Sequence, residues 1–265
     1  MIAALPRNVI AEAYIAACRL EVRTLKPGNV HIFADGHRMT VADFDHSANA
    51  SAPFIADPAL PVGDRILNAV EATFAAVATN TNLGIVLLCA PLAAAAEHCT
   101  KNASFADSLH AVLAALDHTD ACAVYKAIAM ANPAGLGSDK AGDVRADPPA
   151  DWTRLDAMRA AAPRDMIAQE YATGFATILA NARTLTEDIA SGAAPEDALA
   201  MLFLRRLSER PDTHIIRKHG PALAHRVMAR AAETFATLDL QSASGIAKPE
   251  NRLRLLELDA ELKSW

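Results

Sequence analysis

The first residues able to do chemistry lie in EVRTLKPGNVHIF, Glu21 to Phe33, a polar interruption in a chain built largely of Ala and Leu. Lys26 precedes Pro27-Gly28, so an ammonium group and a turn continued by Asn29 can approach an anion together. Glu21, somewhat more than a helical turn earlier, can hold a metal ion or accept a proton. The competing reading is a Gly-terminated helix with exposed Glu and Lys, and His31 is the least supported residue of the stretch.

Four further polar islands share this character. In TNTNLG, Thr79 to Gly84, either Asn80 or Thr81 can cap the helix that follows, with Asn82 a second amide at the same end. Capping explains one polar residue, not four leading into an apolar run. In GLGSDKAGDVR, Asp139 and Asp143 stand four apart beside Lys140 and Arg145 and can offer oxygens to Mg²⁺; a solvated loop is the plainer reading. In PRDMIAQEYATGF, a helix would align Asp165, Gln169 and Thr173 in a stripe facing solvent, flanked by Glu170 and Tyr171. In RPDTHIIRKHG, Asp212 caps a short helix ended by Gly220, with His214 and Lys218 on one face and Thr213 and Arg217 on another. Basic residues there also suit the helix dipole. A Walker lysine loop, G-x-G-x-x-G, H-E-x-x-H and G-x-S-x-G are all absent, and the nine histidines form no zinc pattern.

The elements that must position these islands read as helices. The first starts at Pro6, puts Ile10, Tyr14 and Cys18 near one face and ends at Lys26-Pro27-Gly28. Thr40 to Asp43 resembles a capping box with Asp in place of Glu, opening a helix through Phe44 and Ala48. Pro61 to Ala78 carries Ile66, Val70 and Phe74 at four-residue steps, and Asn82 to Ala96 is apolar on all sides, as a buried helix is. Further helices are expected over 104–116, 119–131, 164–191, 195–209, 221–238 and 249–264, with loops at 28–39, 56–61, 132–151 and 239–248. No segment alternates as a strand does. The expectation is an all-α, single-domain compact bundle of about ten helices over residues 1–265.

Composition agrees. The chain is 52% hydrophobic but 5% aromatic, an Ala-rich balance that favours close-packed helices. A net charge of −6 argues against a bulk nucleic-acid binder. Cys18, Cys89, Cys99 and Cys122 lack metal spacing and read as buried reduced thiols. No charged-then-apolar start appears, and LGIVLLCAPLAAAA is short for a spanning helix, so a soluble cytoplasmic protein without membrane contact is expected.

The ordered set EVRTLKPGNV, MTVADF, TNTNLGIVLL, TDACAVYKAI, PAGLG…DV, RDMIAQEYATGF and DTHIIRKHG resembles the triphosphoribosyl-dephospho-coenzyme A synthase family across most of the chain. The resemblance implies an all-helical enzyme that takes ATP with Mg²⁺, transfers its triphosphoribosyl part to a hydroxyl of dephospho-coenzyme A or a related small molecule, and releases adenine. On that reading Glu21, Glu170, Asp212 and His214 are the catalytic candidates. Lys26, Gly28, Asn29, Asn80, Thr81, Asn82, Gly84, Thr213, Arg217 and Lys218 are the binding candidates, and Glu21, Asp139, Asp143 and Asp212 the metal candidates. Asn82-Leu83 stands where citrate-lyase members carry a His-Lys pair, which is closer to the branch of archaea and one-carbon-metabolising bacteria. A Pro-Gly-x-x-Ala-Asp-Leu tail usual in the family is not seen before AELKSW. The resemblance leaves a homodimer open. The rival readings are a nucleotide or phosphoester hydrolase on the same scaffold and a non-catalytic helical interaction module.

Overall fold

A computed structural model of the chain describes residues 4–35, 39–99, 103–133, 144–239 and 243–265. Asp139, Lys140 and Asp143 lie outside the described residues. Those described form α-helices and one 3-10 turn and no strand: α1 Arg7–Arg23, α2 Val41–Ile55, α3 Val62–Val77, α4 Leu83–Glu97, α5 Phe105–Ala114, α6 His118–Ala131, α7 Arg154–Ala161, α8 Met166–Ala172, α9 Ala176–Ala190, α10 Pro195–Glu209, α11 Thr213–His219, α12 Pro221–Thr237, the 3-10 turn Ala243–Ala247 and α13 Pro249–Lys263.

The all-α expectation holds, with more helices than foreseen. The single helix expected over 164–191 is broken between α8 and α9, because Gly174 and Phe175 both take positive φ, 66° and 62°, which no α-helix continues through. Helix α7 is only eight residues long, too short to show a clear apolar period. The 3-10 turn falls within the expected loop 239–248.

The chain divides into two compact units. The first comprises Met1–Ala17 and Asp43–Ala176, the second Cys18–Ala42 and Thr177–Trp265, so the boundary falls inside α1.

In the first unit α3 packs on α4 and α6, α4 on α5 and α8, and α7 on α6 and α8. The α3–α6 crossing is set by Gly63, where a Cβ would come within 2.6 Å of the Asp120 Cα. Gly63 N–H donates to Asp120 Oδ1 at 2.7 Å, while Oδ2 accepts the N–H of Asp117 at 3.0 Å. The second bond belongs to a capping box at the start of α6; Ser104–Asp107 and Thr153–Asp156 build the same box on α5 and α7. All three use Asp where Glu is usual. Arg65, buried on α3, forks onto Glu97 with two 2.8 Å bonds and also donates to the Ile55 and Leu60 carbonyls. That satisfies a charge that would be costly to bury alone.

In the second unit Ala198, Met201 and Leu204 of α10 meet Val227 and Ala231 of α12 and Leu255 and Leu258 of α13, with Leu25 and Ile246 in the same core. Asn251, fully buried, holds the turn before α13 by accepting from Asp239 N–H and donating to the Asp239 and Gly245 carbonyls. Cys18 and Cys99 are buried and outside any disulfide, as expected, whereas Cys89 and Cys122 are only half-buried. Among the described residues no helix is long and apolar enough to cross a membrane.

Candidate functional site

The second unit holds the Lys26 turn. After α1 ends at Arg23, Asn29 N–H donates to the Lys26 carbonyl at 3.0 Å, and Gly28 takes φ 85°, the conformation this turn demands at its third position. Lys26 is not the exposed residue of a simple helix end: 5% of it is exposed, and burial pushes its ammonium from 10.5 down to about 7. Its Nζ contacts Glu21 Oε1, which works against that shift because a carboxylate favours the charged form. The other Glu21 oxygen, Oε2, is shut off from solvent and has no hydrogen-bond partner. The turn therefore presents a desolvated amine beside a half-satisfied carboxylate.

A residue not singled out from sequence fixes this turn. Asp259 of α13 accepts the Gly28 N–H on Oδ1 at 2.8 Å, and its Oδ2 lies 3.0 Å from Lys263 Nζ and 3.3 Å from His31 Nε2. His31 Nδ1 accepts the Phe33 N–H at 3.3 Å, which leaves Nε2 as the protonated nitrogen facing Asp259. The Nε2 approach is off the N–H axis, a polar contact more than an aligned hydrogen bond. Burial works to raise the Asp259 pKa, but His31, Lys263 and the Gly28 N–H outweigh it and hold the carboxyl below its ordinary value. Lys263 also donates to the Ala34 carbonyl at 3.2 Å. His31, weakest on sequence grounds, is thus a buried structural anchor. The available signal for Asp259 was its four-residue spacing from Lys263 near a helix end.

On α11, also in the second unit, Asp212 Oδ1 accepts from His214 N–H at 2.6 Å and Ile215 N–H at 3.2 Å, the cap expected of it. His214 Nδ1 lies 2.9 Å from Arg217 Nη2, so these two pair across three residues, while Lys218 is exposed. Thr213 opens the helix.

The first unit holds the other candidates. Asn80 Oδ1 caps α4 through the Leu83 N–H at 3.2 Å. Thr81 donates to Ser47 Oγ at 2.6 Å, and Asn82, buried, reaches Ser51 Oγ at 3.4 Å. The Ser51 proton goes to the Ser47 carbonyl at 2.6 Å, so the Tyr14 hydroxyl, 2.9 Å away, is the donor to Ser51. A cap plus an internal network to α1 and α2 therefore engages three residues of TNTNLG. At Gly84 a Cβ would stand 3.2 Å from Ile167 of α8, so its smallness serves packing. Asp165 caps α8 at the Ala168 N–H, 2.9 Å away. Gln169 and Thr173 face solvent as expected, but Glu170 and Tyr171 turn inward. Tyr171 donates to the Leu87 carbonyl and accepts from Arg154, a buried residue that sequence reading passed over. Burial pushes the Tyr171 phenol up, which keeps it a neutral donor.

Among the described residues no three His, Cys, Asp or Glu side chains gather as a metal cluster. Of the carboxylates proposed for a metal, Glu21 and Asp212 are described, and Glu21 alone of that pair has an oxygen recorded as buried without a partner.

Comparison with known proteins adds a family and a fold. Residues 7–264 match the CitG family, described as ATP:dephospho-CoA triphosphoribosyl transferase. A solved structure from Archaeoglobus fulgidus, provisionally titled a triphosphoribosyl-dephospho-CoA synthase, is similar at a TM-score of 0.59 and 19% identity, covering 84% of this chain and 97% of that one. At that identity the likeness speaks to the fold. Among curated proteins none matches.

Proposed function

From the premise that this chain belongs to the ATP:dephospho-CoA triphosphoribosyl transferase family, we propose that the Glu21–Lys26 pair is a working part of its active site. The reaction moves the triphosphoribosyl group of ATP to dephospho-CoA: the ribose–adenine bond breaks, a hydroxyl oxygen bonds to the ribose carbon, and adenine leaves. Positive charge builds on the ribose as the bond to adenine stretches, so an anion held beside it lowers the barrier.

The observation that carries the proposal is the Glu21 Oε2 atom, dehydrated and without a hydrogen-bond partner, next to a buried Lys26. Lys26 meets the other oxygen of this carboxylate, and Oε2 is left for the ribosyl cation to face. The same oxygen can take the proton of the attacking hydroxyl, while departing adenine is neutralised by a proton from elsewhere in the site or from water. Lys26 Nζ has three N–H groups, so it can keep its contact with Glu21 and receive a phosphate oxygen as well. Asp259 serves as a positioning residue by holding the Gly28 N–H and so the shape of the turn.

Mg²⁺ accompanying ATP would neutralise phosphate charge; the orphaned Glu21 oxygen suits such a hard cation, so Glu21 would hold it. In either position the Oε2 oxygen, which has no hydrogen-bond partner of its own, faces positive charge. Arg217 and Lys218 on α11 are proposed as further phosphate contacts, with Asp212 and Thr213 shaping that helix start. His214 is proposed to orient Arg217, which it touches. Within the first unit, Glu170 and the amides of Asn80 and Asn82 are proposed as substrate-binding groups. The family match runs over both units, which supports reading the chain as one transferase domain.

The test is adenine release from ATP with Mg²⁺ and dephospho-CoA. Glu21→Gln is expected to lose about 10²–10³ in kcat, the range typical of removing one electrostatic stabiliser. Activity within twofold of the wild type overturns the role given to Glu21.

A further inference from the structure

Arg154, the first residue of α7, carries its guanidinium into the first unit with 1% of the residue exposed. One arm is engaged: Nη2 donates to the Tyr171 hydroxyl, and the guanidinium carbon lies 4.5 Å from the centre of that ring. The other nitrogens are not engaged. Nε and Nη1 are buried without a hydrogen-bond partner, and among the described residues Arg154 makes no ion pair. Asp120, the buried carboxylate at the start of α6, commits its oxygens to the Gly63 and Asp117 N–H groups. A guanidinium cannot shed its charge at ordinary pH, so the fold carries a dehydrated cation with three of its five N–H groups unused.

We propose that Arg154 is an oxyanion-binding residue of the first unit, taking a phosphoryl group of a substrate on the free N–H groups of Nε and Nη1. Planar, fixed donors in a dry setting match phosphate oxygens better than an ammonium does. The choice of phosphoryl over other oxyanions rests on the family's reaction, whose two substrates both carry phosphates. Tyr171 follows Glu170 on α8, and Leu87 lies a turn beyond Gly84 on α4, so the guanidinium is tied to the two helices that carry polar candidates of this unit. Both free nitrogens are closed to solvent, so an entering anion must part the side chains around them.

Inorganic triphosphate is the probe, with calorimetry and thermal melting on the full chain. Wild type is expected to bind it and melt higher in its presence. Arg154→Met is expected to melt higher than wild type without ligand, because an uncompensated buried charge is gone, and to bind triphosphate at least tenfold more weakly. Arg154→Lys keeps the charge but not the planar donors and is expected to bind at least threefold more weakly; it keeps the test decisive if the Met variant does not fold. Wild-type triphosphate affinity in either variant overturns the inference. A loss of ATP affinity in Arg154→Lys assigns the nucleotide's phosphates, and a loss of dephospho-CoA affinity assigns the acceptor's pyrophosphate. Adenine release is read separately: triphosphate binding through Arg154 without adenine release would sink the proposed reaction and leave the anion site standing.

Discussion

If Lys26 receives the phosphates of ATP, binding draws a proton out of solution. Burial places its ammonium at about 7. At pH 8 roughly one-tenth of the free enzyme then carries the charge, and at pH 7 about half does. A phosphate oxygen against Nζ favours the charged form and returns the pKa toward its ordinary value. The uptake is therefore about 0.9 proton per ATP at pH 8, about 0.5 at pH 7 and close to none at pH 6. Through the same linkage, affinity falls by up to about tenfold, or about 1.4 kcal/mol, per pH unit above 7. The Glu21 contact moves this window upward without changing its sign. Calorimetry in buffers of different ionisation enthalpy reads the uptake, with Lys26→Met as the control that subtracts protons bound by ATP itself. Equal uptake in wild type and Lys26→Met, together with an affinity that stays flat from pH 7 to 9, would refute the reasoning. The depressed pKa also costs the unliganded fold stability: the penalty is full below pH 7 and is relieved as pH rises toward 10.5.

Asp259 has the opposite sign. Its carboxyl is held below the ordinary value, so its contribution is present above the unfolded carboxylate range and is lost as pH falls through the folded value. Asp259→Asn is expected to lower stability by about 1–3 kcal/mol near neutrality, with the gap to wild type closing in acid; a gap that persists unchanged to pH 2 in denaturant titrations counts against the charge contacts. Gly63→Ala places a methyl 2.6 Å from the Asp120 Cα, and a backbone atom cannot step aside as a side-chain tip can. The expected cost is about 1–3 kcal/mol, read as a fall of roughly 3–10 °C in Tm; a Tm within a degree of wild type would mean that the α3–α6 crossing is looser than described.

The helices were largely legible because Ala- and Leu-rich periodicity and caps such as Asp212 are local signals, although Asp165, read as part of a helical stripe, is in fact the cap of α8. The break at Gly174-Phe175 was not, since a phenylalanine at positive φ is a tertiary outcome that no pattern of apolar residues announces. The candidate site was legible in part. Glu21 and Lys26 were named from five-residue proximity, and they do touch. Their burial came from packing that sequence spacing cannot express. Asn82 shows the converse: its polarity suggested a ligand, and its amide is directed toward Ser51. Asp259 and Arg154 were missed for one physical reason. Each acts on another element, Asp259 on the Gly28 turn and Arg154 on Tyr171 of α8, and a single sequence carries no record of such pairings.

The link between Gly28 and Asp259 spans 231 residues. During synthesis the Lys26 turn emerges well before α13 and must wait 231 residues for Asp259 to reach Gly28, a contact with a large loop-closure entropy. Until then Gly28 and His31 lack their shared carboxylate. A chain stopped short of Asp259 would hold every residue proposed at the turn for handling ATP and still lack the clamp that sets the turn's shape. Synthesis of α13 thereby becomes a condition for giving that turn its shape.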